Sequence, residues 1–484
     1  MSENTKQNTL KGLFWNAIDR FGNQLVITLV GIITARVLSP EDFGVVGVLL
    51  IFSTIATAFV DSGLATSLVR STHVEESDYS SMFVFNLFVS CALYFILFLA
   101  APTIERFNNI DHLALYARIL FLQLLVHSLG IVQYVKLLRS FAFKITARIN
   151  VLSVVFSGII AVTLALLQFG VWALLLQPLL YSCFRTVMLW IWGDWRLNLL
   201  FSVKALRRHL QFSLSFMAGS VLSKSFSQLY YSFIGKHFSV AQTGFYFQAN
   251  KWGETPNMLI SSIVQGTTLS TLAPIQNDYP RFLNACRKSM QTLAFVLFPV
   301  SLCAIAVAKP AFIFVLTDKW MPSVPYFQLL CFGGIFISLT DLNANFLNIK
   351  GKSNLTLWLE VGKIATAMIV LWATYRLGIL YIIYGQLGIR FLFFFMNAWV
   401  SGKVYGYTFI KQFFDIIPSF VISLVAFIAA WAVLYVLIDV SSLILLCAQT
   451  TIFMLVYIIG NHLSRNKIWL ALLEIGKRKL SKQK

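Results

Sequence analysis

Charge is what this sequence has least of. Only 12% of its 484 residues are Asp, Glu, Lys or Arg, about half the roughly 25% of a soluble domain. Acidic residues are the scarcer kind, 19 against 38 basic ones. With 58% hydrophobic residues and a mean hydropathy of +0.77, a water-soluble fold is excluded. The six cysteines, at 91, 183, 286, 303, 331 and 447, stand singly. Lacking CxxC spacing, they predict neither a metal site nor a redox pair, and no cofactor is expected. There is no D-x-D and no H-E-x-x-H, so the metal-binding signatures of membrane enzymes are missing. No small-residue cleavage site follows the polar start MSENTKQNTLKG, so the first apolar run reads as a retained helix rather than a signal peptide.

What fills the chain instead is a series of apolar runs, each near the roughly 20 residues that cross a bilayer as a helix. They are too long for the strands of a membrane barrel. The runs predict an all-α polytopic membrane protein with helices near 11–37, 42–69, 79–101, 112–138, 145–167, 171–193, 204–235, 241–271, 282–308, 322–349, 354–375, 378–402, 412–437 and 441–463. Lys and Arg accumulate in short cytoplasmic loops. With fourteen helices and a cytoplasmic N-terminus, 25 basic residues fall on the cytoplasmic side and 6 opposite, and both termini are cytoplasmic. The net charge of +19 is then topology signal and attraction to anionic lipid, the basic tail KRKLSKQK included, and not a nucleic-acid surface.

A shift of 200 residues lays Arg36-Val-Leu-Ser39-Pro-Glu-Asp-Phe-Gly44 over Lys236-His-Phe-Ser239-Val-Ala-Gln-Thr-Gly244. The basic, Ser and Gly positions coincide between helices one and two and again between seven and eight. Six helices per copy is an even number, so the copies enter the membrane the same way. The expected organisation is an N-terminal lobe over 1–200, a second lobe over 201–405, two further helices over 406–463 and a basic tail over 464–484, with a binding site between the lobes.

Arg20, Arg118, Arg185, Lys224, Lys251, Lys363 and Arg390 fall inside spans, and Asp19, Asp61, Glu254, Asp341 and Glu360 in or near them. A charge near the bilayer centre costs roughly 2.5–3.5 kcal/mol on insertion scales, so such residues mark wet cavities or pairs. Ser213, Ser220, Lys224, Ser227 and Tyr231 make a polar stripe at helical spacing. So do Asn16, Arg20, Asn23 and Thr34 in helix one, with Ile27 interrupting, and Thr54, Thr57 and Asp61 in helix two. Asp19–Arg20 and Glu360–Lys363 are candidates for local ion pairs, and Lys251–Glu254 for a pair or a gate. Arg118 and Arg185 are candidates for snorkelling or for bonding helix carbonyls. Lys224 and Arg390 have no acidic residue within one turn and read as cavity cations. A basic cavity suits an anionic substrate. Pro178, Pro256, Pro299 and Pro418 lie within spans, where each removes a backbone hydrogen bond and permits a bend.

The stretch from KGLFWNAIDRFGNQLVITLVGIITARVLSPEDFGVVGVLL to DSGLATSLVR, with its A-R-x-L-S-P-x-D-F-G and D-S-G patterns, resembles bacterial polysaccharide exporters of the Wzx flippase type. These form the colanic-acid-exporter-like branch of the multidrug/oligosaccharidyl-lipid/polysaccharide superfamily. The resemblance implies a MATE-like, two-lobe, fourteen-helix carrier in the bacterial inner membrane. Its substrate would be an undecaprenyl-diphosphate-linked oligosaccharide, moved to the outer leaflet by alternating access, with membrane lipid and other polysaccharide-assembly proteins as partners and a monomeric state. Arg36, Ser39, Pro40, Asp42, Phe43, Gly44, Asp61 and Gly63 are the positions that match the pattern. The expected substrate-binding residues are Arg20, Arg36, Lys224, Lys251 and Arg390, and the ion-coupling candidates Asp19, Asp61 and Glu254. The rivals are an ion-coupled multidrug exporter of the same fold, which would favour acidic cavity residues, and a membrane polymerase or ligase.

Overall fold

A computed structural model describes residues 3–61, 64–71, 73–198, 201–437, 440–466 and 468–474. Gly63 and the tail from residue 475 lie outside these, as do the side chains of Lys6, Lys11, Asn16, Arg70, Ser220 and Ser227. The helices are α1 Glu3–Val37, α2 Pro40–Asp61, α3 Leu64–Arg70, α4 Glu76–Asn108, α5 Leu113–Arg139, α6 Phe143–Leu166, α7 Val171–Trp192, α8 Val203–His237, α9 Val240–Leu272, α10 Tyr279–Ala306, α11 Ala308–Leu316, α12 Ser323–Ile349, α13 Ser353–Thr374, α14 Ile379–Tyr405, α15 Phe409–Val436 and α16 Ser442–Leu463. Among the described residues fourteen helices reach 22 residues or more, and eleven are long and apolar enough to cross a membrane. The remaining long helices, α1, α8 and α9, carry more polar residues. At 35 residues, α1 is about 50 Å long at 1.5 Å per residue, more than the hydrocarbon needs.

The largest differences from the periodicity reading are at four places. Helix α1 starts at Glu3 rather than near residue 11. The run over 42–69 is two helices, α2 and α3, on either side of the Asp61-Ser-Gly sequence. The run ending near 308 is followed by a separate nine-residue helix, α11. By contrast α4 continues through Pro102 to Asn108, because one lost backbone bond does not end a helix that its neighbours hold.

The chain divides into two compact units, Met1–Gly244 and Phe245–Lys484. In the first, α1 packs on α6, α4 on α5, α7 on both α5 and α6, and α8 on α2. Val48, Leu49, Leu120, Phe121, Leu124 and Leu175 form its centre, all fully buried or nearly so. In the second, α10 packs on α15, α14 on α12 and α13, and α16 on α15. Its core runs through Phe282, Met290, Leu297, Ile335, Leu339 and Phe346. Large apolar side chains such as Phe88, Trp358 and Trp372 remain at least 70% exposed, a surface suited to lipid rather than water.

Helix α15 is bolted to α10 by a buried carboxylate. Arg287 grips Asp415 with Nε and one terminal nitrogen, each at 2.8 Å. Gln291 adds a bond at 2.7 Å and the Tyr407 hydroxyl one at 3.0 Å. Four donors on one carboxylate make it a well-satisfied buried anion.

The 200-residue offset recurs in local geometry. Helices α1 and α8 share it at both ends, and α2 and α9 share it at their starts. At the first corner the Asp42 amide donates to Ser39 Oγ at 3.3 Å while the Ser39 amide donates to Asp42 Oδ2 at 2.9 Å. At the second the Gln242 amide donates to Ser239 Oγ at 3.2 Å and the Ser239 amide to Gln242 Oε1 at 3.3 Å. Both are reciprocal capping boxes, each satisfying two backbone donors at a helix start.

Candidate functional site

Each unit holds a polar cluster inside otherwise apolar helices. In the first, a cavity of about 530 Å³ is lined by Asp61, His127, Tyr134, Tyr181 and Arg185, among others. Asp61, the last residue of α2, accepts a hydrogen bond from His127 Nε2 of α5 at 2.5 Å. Arg185 of α7 is 9% exposed; its Nε donates to Asn150 Oδ1 of α6 at 3.0 Å, and its guanidinium lies 4.4 Å from the centre of the Tyr134 ring. The Asn150 amide in turn donates to both oxygens of Asp19 on α1, at 3.2 and 3.1 Å. Asn23, one turn along α1, adds a bond to Asp19 at 2.6 Å. Lys224 of α8 lies close enough to act electrostatically on Asp61.

In the second unit a cavity of about 310 Å³ is lined by Glu254, Asn257, Ser261, Ser338 and Asp341, among others. Arg390 of α14 donates to Glu254 of α9 at 2.7 Å and to the Leu330 carbonyl of α12 at 3.2 Å. Asn250 adds a bond to Glu254 at 3.3 Å. Lys251 makes no ion pair among the described residues; its ammonium sits 5.9 Å from the centre of the Trp252 ring.

Asp19, Asp61 and Lys224 therefore gather in one cluster, and Glu254 and Arg390 in the other. Arg20 and Arg36 are exposed on α1. Asp19 bonds Asn23 and Asn150, and no ion pair joins it to Arg20. Glu360 and Lys363 do pair, at 2.5 Å. Arg118 reaches the Phe98 carbonyl at 3.5 Å, over the Phe98 ring. Helical spacing does not single out His127, Tyr134, Asn150 or Tyr181. The signal for His127 and Asn150 was one polar residue in an apolar run, too common to single them out.

Residues 33–325 of the chain match the family described as Polysaccharide biosynthesis protein. Over 344 residues, 71% of this chain and 70% of the relative, it is 26% identical to the succinoglycan biosynthesis transport protein ExoT of Rhizobium meliloti (strain 1021). Over 370 residues, 74% of this chain and 73% of the relative, it is 22% identical to the lipopolysaccharide biosynthesis protein WzxC of Escherichia coli (strain K12). The fold is similar to that of the lipid II flippase MurJ in an inward closed conformation, with a TM-score of 0.75 and 14% identity over 94% of this chain and 100% of that one.

Proposed function

The chain belongs to the polysaccharide biosynthesis protein family, and on that premise we propose that it is a flippase. It carries an undecaprenyl-diphosphate-linked oligosaccharide from the cytoplasmic to the outer leaflet, for assembly of a cell-surface polysaccharide. The observation that carries this reading is the family match across more than half of the chain, in a multi-pass membrane protein with a cavity bordered by the buried Arg185. Relatives named for succinoglycan transport and lipopolysaccharide biosynthesis support it.

In this reading the protein is a carrier and not an enzyme, and it works as a monomer in the inner membrane. All fourteen long helices cross the bilayer, with both termini cytoplasmic. Transport is by alternating access, with 1–200 and 201–405 as the repeats and 406–463 and 464–484 as a supporting helix pair and a lipid-attracted tail. Lys224, Lys251, Arg390, Arg20 and Arg36 are the cations that bind the anionic substrate. Asp19, Asp61 and Glu254 are the groups through which an ion gradient would act. Cations suit a diphosphate because they replace its lost hydration with charge-assisted bonds.

Deleting the gene should leave undecaprenyl-linked glycan on the cytoplasmic leaflet, and Lys224→Ala should reduce its export at least tenfold while the protein stays in the membrane. Normal surface polysaccharide in the deletion strain would overturn the assignment.

A further inference from the structure

An arginine has five N–H donors in a rigid fork, and a buried one is normally satisfied on all sides. Arg185 is not. It is 9% exposed, yet among the described residues only its Nε is bonded, to Asn150. Among the described residues neither terminal nitrogen has a partner and no carboxylate comes within ion-pair distance. Both nearby acids are engaged elsewhere, Asp19 by Asn23 and Asn150 and Asp61 by His127. The fork is nonetheless held in place, its carbon over the Tyr134 ring at 4.4 Å from the centre and its Nε fixed by an asparagine that Asp19 itself orients. It borders the 530 Å³ cavity, as do Tyr134 and Tyr181, whose hydroxyls also lack partners among the described residues. That volume is within the roughly 300–1,000 Å³ of ligand pockets.

We infer that Arg185 is an anion-binding residue, its two open nitrogens receiving a two-oxygen anion of the transported substrate while the Tyr134 and Tyr181 hydroxyls bond sugar hydroxyls beside it. Guanidinium forks match carboxylate and phosphate geometry bidentately. The anion is therefore the carboxylate of an acidic sugar or a phosphate of the lipid carrier. The inference deepens the flippase reading and rests on it.

The test is calorimetric titration of the purified full-length protein in detergent with three probes: inorganic pyrophosphate, a glucuronic-acid-containing trisaccharide, and a neutral trisaccharide of the same size. At least one anionic probe should bind ten times more tightly than the neutral sugar. Arg185→Gln should weaken that binding at least tenfold, Arg185→Lys less, and Arg118→Gln not at all. Preference for pyrophosphate assigns the fork to the lipid diphosphate, preference for the uronate to the sugar, and either supports the inference. Equal binding by wild type and Arg185→Gln overturns it, as does a wild type that does not favour the anions. Where Arg185→Gln does not elute as a monodisperse helical protein, Arg185→Lys decides, and unchanged binding there overturns the inference equally. Failure here with cytoplasmic glycan accumulating in the deletion strain removes only the Arg185 assignment. Anion binding without accumulation removes the flippase reading instead.

Discussion

Gly44 and Gly244, 200 residues apart in sequence, meet back to back. A Cβ on Gly44 would run into the Val240 carbonyl oxygen, and one on Gly244 into that of Pro40. The first turns of α2 and α9 cross with no room for a methyl group, so each glycine is required by close backbone approach. Overpacking a tight contact costs roughly 1–3 kcal/mol. Gly44→Ala and Gly244→Ala should each lower the melting temperature in detergent. Gly388→Ala, in a helix with nothing within 4 Å of the added carbon, should leave it unchanged or slightly higher.

Arg390 and Glu254 give a second prediction, one that separates pairing from substrate binding. Removing either partner leaves a charge uncompensated among apolar helices, so Arg390→Ala and Glu254→Ala should each destabilise the protein. The double variant should recover thermal stability but not export, because the cation meant for the substrate is still missing. Recovery of surface polysaccharide in the double variant would reduce Arg390 to a structural partner.

The bolt between α10 and α15 can be broken on one side at a time. Asp415 is held by Arg287, Gln291 and Tyr407; breaking a pair costs about 3–5 kcal/mol when both partners are buried, whereas the Arg287 side chain is half-exposed. Arg287→Ala should therefore cost less than that, since solvent screens the arginine and two neutral donors remain on the carboxylate, and Asp415→Ala should be similar. The replacement of both by leucine should lie closer to wild type than either single variant, as read by thermal unfolding.

Topology is open to reporter fusions. With a cytoplasmic N-terminus, the turn after α5 is cytoplasmic and the turn after α6 is outside. Alkaline phosphatase joined after Ser140 should be inactive, and after Gln168 active. The reverse pattern would invert the orientation.

The sequence was most informative where a signal repeats along one helix. The length of the apolar runs predicted nearly every long helix, and the Ser39/Ser239 match pointed to a shared corner that the two capping boxes display. Glu360 and Lys363 could be paired on paper because they lie one turn apart. His127 with Asp61, Asn150 with Arg185, and Arg390 with Glu254 could not, since each pair joins two helices and leaves no periodic trace. Arg390 has no acid within one turn of its own helix, and its partner Glu254 lies on another. The break between α2 and α3 was hidden because Asp61, Ser and Gly interrupt hydropathy too briefly to separate two runs.

The chain from Asp19 through Asn150 to Arg185 also bears on what recognition would demand of the protein. Immobilising a long flexible side chain on binding costs about 0.5–1.5 kcal/mol, and a loose surface arginine would incur that loss each time it met a ligand. Here the rotamer is fixed before anything arrives, by one hydrogen bond and one aromatic face. The ordering entropy is lost once, during folding, rather than in every transport cycle.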